Sequence, residues 1–91
     1  MSGEDVLQEA RRLVAGDRRL AYGTPVESMR RVAEWWTLAD GQPHTGREVA
    51  LLLALVKLAR EHHRHGRDNL VDAAGYLLIA SLCADAEQGA A

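Results

Sequence analysis

The stretch Arg67-Asp68-Asn69-Leu70-Val71-Asp72-Ala73-Ala74-Gly75-Tyr76 holds the densest set of residues able to do chemistry. Asp68, Asp72 and Tyr76 recur at i, i+4 and i+8, which lines them along one face of a helix, with Asn69 one position off that line. Two carboxylates a turn apart beside a helix start can hold a hard cation such as magnesium through oxygen. The same spacing has a structural use. Asp68 or Asn69 caps the helix, and Asp72 gains from the positive end of the helix dipole. Asp72 is flanked by apolar residues, and a carboxylate in such surroundings needs a partner.

Lys57 is the candidate partner. It is the one lysine in the chain, it directly follows an apolar run, and Arg60 comes a turn later. Two adjacent antiparallel helices would bring Lys57 and Arg60 to Asp72 and Asp68. One outcome is a salt bridge that fixes helix register at little net energy, because desolvation offsets the attraction. The other is a polar pocket where cations, carboxylates and a metal meet a phosphate. Arg19 and Tyr22 are further candidates for a small ligand, a guanidinium for phosphate and a ring for a base.

Other sets carry less. Glu61-His62-His63-Arg64-His65 looks like a metal cluster, but only His62 and His65 share a helix face. The set also sits at a helix C-terminus, where positive side chains are favoured in any case. Arg11, Arg12, Arg18, Arg19, Arg30 and Arg31 make a local basic run that reads as a solvated face. With a formal net charge of −2 and no polar recognition helix, the chain is not expected to bind nucleic acid. Adjacent Trp35 and Trp36 point about 100° apart on a helix, so they cannot share one core. Trp36 fits the core stripe, and Trp35 is left for an interface or a ligand wall. No serine–histidine–acid set, glycine-rich phosphate loop or paired-cysteine motif is present.

These residues must be held by helices, and the sequence marks four, over approximately 3–15, 25–40, 46–64 and 69–85. Ser2 caps the first, and Gly16 is placed to end it. Val6, Leu7, Ala10, Leu13 and Val14 form its apolar stripe. Thr24-Pro25-Val26-Glu27 is a capping box with proline at the first helical position. That second helix ends at Gly41 and carries Met29, Val32, Ala33 and Trp36 inward. Thr45-Gly46-Arg47-Glu48 is another capping box, and Gly66 closes the third helix. The tail from Glu87 is expected to fray.

The class that follows is an all-α domain of four helices spanning residues 1–91. A lone cysteine rules out a disulfide and fits a reducing compartment, with Cys83 a small core residue. The N-terminus lacks the layout of a secretory signal, and the longest apolar runs are short of a bilayer span, so a cytoplasmic location is expected. The third helix from Val49 to Val56, and most of the fourth, are apolar on every side. Two short amphipathic helices cannot cover both. A homo-oligomer is therefore expected, with a symmetric dimer the commonest form.

Tyr22-Gly23, Trp36, Val49-Ala50-Leu51, Lys57-Leu58-Ala59-Arg60 and Asp68-Asn69-Leu70-Val71-Asp72-Ala73-Ala74-Gly75-Tyr76, in that order, resemble a group of small phage and prophage proteins of unassigned function. The resemblance runs from about Val6 to Leu82 and implies a phage or prophage origin. More loosely, the chain is similar to the MazG-like all-α nucleotide pyrophosphohydrolases. Those are helical oligomers that bind magnesium through acidic residues and cleave nucleoside triphosphates. Their later acidic motif resembles Asp68 and Asp72, here spaced four apart instead of three. Their earlier glutamate pair has no counterpart in this chain.

Two function classes follow. One is an oligomer that binds a nucleotide or related phosphate. In it Asp68 and Asp72 hold magnesium, and Arg19, Tyr22, Lys57, Arg60, Asn69 and Tyr76 contact the ligand. The other is a non-enzymatic module that docks onto a host or phage protein.

Overall fold

The computed structural model describes residues 2–17 and 23–90, so Arg19 and Tyr22 lie outside the described residues. Within them the chain is all-α. Helix α1 covers Gly3–Arg12 and runs into a π-helical turn, Leu13–Asp17. Helix α2 covers Pro25–Asp40, α3 Gly46–His63 and α4 Arg67–Ala90.

The start signals act as expected. Ser2, Thr24 and Thr45 each accept the backbone N–H of the residue three further on, at 3.2 Å in every case. Each removes one of the unsatisfied donors at a helix start, a gain of about 1 kcal/mol. Gly41 ends α2 at φ +71, where a side chain would be strained, and its N–H donates to the Thr37 carbonyl at 2.9 Å.

The stop signals fare less well. Gly16 does not end α1, because the chain continues through it in the π-helical turn. Gly66 does not cap α3 in the left-handed form either. Arg64 leaves the helix in an extended conformation, and the Gly66 N–H donates to Glu61 Oε1 at 2.9 Å. Helix α4 begins two residues before position 69 and continues past 85 through the expected frayed end. There Glu87 accepts the Arg47 N–H at 3.2 Å, so a side chain of α4 satisfies the first turn of α3.

Helices α3 and α4 form an antiparallel hairpin, and α4 is the axis of the molecule, touching α1, α2 and α3. Its 24 residues account for most of the 41 Å length. The core lies in two parts along it. Met29, Ala33, Val49, Ala50, Ala80 and Cys83 pack one end, and Val6, Ala10 and Val71 pack the other. Most of these residues are small, which lets helix axes approach closely. Gly46 shows the limit: a Cβ there would stand 3.3 Å from the Met29 Cβ and 3.4 Å from the Cys83 Sγ. Leu7 and Val32, expected inside, face outward at 61% and 44% exposure, each being one step off the buried line of its helix.

The corner between α2 and α3 is held by His44. Its Nε2 lies 2.7 Å from Asp40 Oδ2 and its Nδ1 2.8 Å from Glu48 Oε2. Its backbone N–H donates to Thr37 Oγ1 at 3.1 Å, and its ring stacks on Trp36 at 3.5 Å between centroids. Desolvation pulls the imidazole's pKa down, but the bonds and charges of Glu48 and Asp40 outweigh it and leave it above 6.5. The Gln42 N–H, and then His44, hold the Asp40 carboxyl below 3.8.

The sign of the pH dependence follows. The raised histidine gives stability that is full below its unfolded value and fades as pH rises through the folded one. The lowered aspartate gives stability that is full above its unfolded value and fades as pH falls through the folded one. The clasp is therefore strongest between about pH 4 and 6.5. Melting temperature against pH, for the wild type and His44→Gln, should show their largest gap in that window and a shrinking gap above it. A gap independent of pH would refute the clasp.

Candidate functional site

Lys57 and Asp72 meet. Lys57 Nζ lies 3.1 Å from Asp72 Oδ2, with side chains 20% and 22% exposed. The register follows from the packing: Gly46 faces Cys83 and Lys57 faces Asp72, eleven residues apart on each helix. Ala50 and Ala54 bring Lys57 to the inner face of α3, since the three recur at helical spacing. Arg60 and Asp68 do not close the second pair. Both are exposed, and among the described residues neither has an ion-pair partner.

Asn69 serves the turn between α3 and α4. Its N–H donates to the Gly66 carbonyl at 3.0 Å, and its side-chain amide reaches the Arg64 carbonyl at 3.5 Å. Glu61 organises the same turn by accepting from Gly66 and pairing with His65 Nδ1 at 2.5 Å. The Gly66 N–H, and then His65, hold its carboxyl below the usual glutamate value. Among the described residues no three histidine, cysteine, aspartate or glutamate side chains converge as a metal site. Cys83 is buried, and that burial pushes its thiol up, which keeps it unreactive.

Asp72 and Tyr76 also line a cavity of about 560 Å³ between α1 with its π-helical turn, the start of α2, and α4. Val14, Met29 and Ile79 supply apolar wall, and Ser28 adds a hydroxyl. Gly75 lies at the base, where a Cβ would stand 3.6 Å from a Val14 methyl. The volume falls within the range of small-molecule sites, and the lining is mainly apolar with a few polar groups, as in such sites. Lys57 stands behind Asp72 as its counter-ion and is not in the lining.

Several of these parts escape a reading of the sequence. Ser28 and the wall of Val14 and Ile79 come together only through tertiary packing. The ion pair of Glu9 with Arg67, which ties α1 to the start of α4, spans most of the chain. His44 did have a legible signal, with acids four residues before and after it.

The fold and the cavity define a small all-α helical protein whose described residues line a mainly apolar cavity bearing a carboxylate and a phenol. The chain belongs to the family described as a domain of unknown function, DUF6378, whose model matches residues 5–84. It is 35% identical over 74 residues to the Gene 55 protein of Mycobacterium phage D29, covering 80% of this chain and 49% of that protein. Against the Gene 55 protein of Mycobacterium phage L5 it is again 35% identical over 74 residues, covering 78% and 47%. The chain thus spans about half the length of the curated relatives it matches. No solved structure matches. The phage resemblance holds at the level of this family.

The Lys57–Asp72 pair is testable by a double-mutant cycle with Lys57→Met and Asp72→Leu. Each single change strands a half-buried charge and should destabilise by about 1–3 kcal/mol. The double variant should recover part of that, with a coupling of about 1 kcal/mol. Additive losses in chemical denaturation would mean that the two groups do not interact.

Proposed function

We propose that this protein binds a nucleotide with the base in the cavity between α1, α2 and α4. The observation that carries the reading is the placement of Asp72 and Tyr76 in a mainly apolar cavity of about 560 Å³. A carboxylate accepts from the N–H edge of a base, a phenol both donates and accepts, and apolar walls cover a flat ring. Lys57, 3.1 Å away, holds the Asp72 carboxylate in place. Arg19 and Tyr22 remain proposed contacts to the phosphates and the base.

Magnesium enters through the nucleotide. Asp72 is engaged by Lys57, and Asp68 is exposed a turn away. Together they amount to the one or two carboxylates that a phosphate-bound magnesium takes from a protein. The likeness to the MazG-like enzymes stops at these two residues, so the reading is one of binding. The host cell's cytoplasm is the proposed place of action. One described helix, Arg67–Gly89, is long and apolar enough to cross a bilayer, at a mean hydropathy of 1.2. It serves as the central packing helix of the bundle.

The test is a thermal-shift panel of ribo-, deoxyribo- and cyclic nucleotides, with and without magnesium. At a hundredfold excess over Kd, binding adds about 2.7 kcal/mol, a rise on the order of 10 °C for a domain this small. Asp72→Asn and Tyr76→Leu should each remove the rise while keeping helicity by circular dichroism. Pyrophosphate release then separates an enzyme from a binder. No rise with any nucleotide overturns the reading.

A second reading has its own observation. Trp35 is 66% exposed and Leu38 83%, and Arg31 shares their face of α2. Exposed tryptophan beside arginine is the composition of a protein-docking hot spot. A host or phage protein held by the wild type and released by Trp35→Ala, with no nucleotide response, would favour this module role.

A further inference from the structure

We propose that α3 is a self-association seam, along which two copies of the chain pack their α3 helices antiparallel about a two-fold axis at Leu55. This inference does not depend on the nucleotide reading, since no cavity-lining residue belongs to α3.

The outer face of α3 carries Leu51, Leu52, Leu55, Val56 and Leu58, each between 42% and 59% exposed. The inner face is already used, by Ala50 and Ala54 in the core and by Lys57 on Asp72. The residues Glu48, Leu51, Leu55, Leu58 and His62 are spaced 3, 4, 3 and 4 apart. That is the repeat of a helix–helix seam, with an apolar centre and a titratable group at each end.

The spacing selects a second copy, and it selects the antiparallel orientation. With the axis at Leu55, the residue lies against its own equivalent. Leu52 meets the partner's Leu58, Leu51 meets the partner's Ala59, and Glu48 meets the partner's His62. A parallel pair would set Glu48 on Glu48 and align the two helix dipoles unfavourably. The antiparallel pair opposes the dipoles and places an acid beside a base-bearing end. Glu48 has the means: its side chain is 44% exposed, and His44 engages only Oε2. His62 is exposed.

Size sets the strength. The seam is at most the length of an 18-residue helix, about 27 Å. A single helix pair of that length falls at the low end of specific interfaces. The dimer is therefore reversible, with a Kd on the micromolar scale.

The experiment is sedimentation velocity on the full chain from ~1 to ~100 μM, spanning that Kd. The wild type should pass from monomer to dimer, and Leu55→Arg should stay monomeric with unchanged helicity. His62→Glu, a change at an exposed position outside the core, should weaken the dimer several-fold. Leu55→Cys should cross-link to itself on oxidation. Leu77→Cys on α4 should not, nor should the wild type, whose Cys83 is buried. A wild type monomeric throughout overturns the proposal. So does a dimer that survives Leu55→Arg, or one in which Cys at position 55 fails to cross-link. Partner capture through α3 by a monomeric chain would assign the face to a different protein.

Discussion

The close approach of α3 and α4 is the constraint on which the other features depend. Most of the side chains they bury are small: Ala50, Ala54, Ala73, Ala80 and Cys83, with Val49 and Val71 the larger ones. Small side chains bring the axes together, and that is what carries Lys57 to 3.1 Å from Asp72 and sets Gly46 against Cys83. Burying alanines instead of leucines has a cost. Each alanine removes little apolar area from water, so the hydrophobic gain per residue is low. Leu53 packs on the core, while Leu51, Leu52, Leu55 and Leu58 are left on the outer face. The same packing choice therefore fixes the register of the ion pair and leaves an apolar face to be covered.

The polar features divide the molecule into two sides. On one side α4 presents Asp72 and Tyr76 to a cavity closed by α1 and the start of α2. On another, α3 presents a leucine face. Helix α1 belongs to the cavity side and is held there by Val6, Ala10 and the Glu9–Arg67 pair. Helix α2 links the two through the His44 clasp, which joins its last turn to the first turn of α3. A protein of this family thus offers a pocket and a surface that are built from different helices, and either can change without dismantling the other.

Much of the fold was legible because helix starts have local chemistry. Ser2, Thr24 and Thr45 announced three of the four starts, and Gly41 announced one end. Gly16 and Gly66 misled, because a glycine permits a left-handed end without requiring one. At Gly66 the chain found another acceptor, the Glu61 carboxylate. Lys57 against Asp72 was legible because a lone lysine after an apolar run and a carboxylate inside one each need a partner, and adjacent helices supply it. Arg60 with Asp68 followed the same logic and did not close, because both sit where water already solvates them. The cavity walls and the Glu9–Arg67 pair were not legible, since nothing local in the sequence encodes which turns of distant helices meet.

On this packing the α3–α4 hairpin should be the stable unit to which α1 is added. Native-state amide hydrogen exchange reads this directly, since protection reports the free energy of opening for each segment. The amides of Ala54 and Ala73 should exchange only through global unfolding, and those of α1 by a cheaper local opening. Protection in α1 equal to or above that at Ala54 and Ala73 would contradict it.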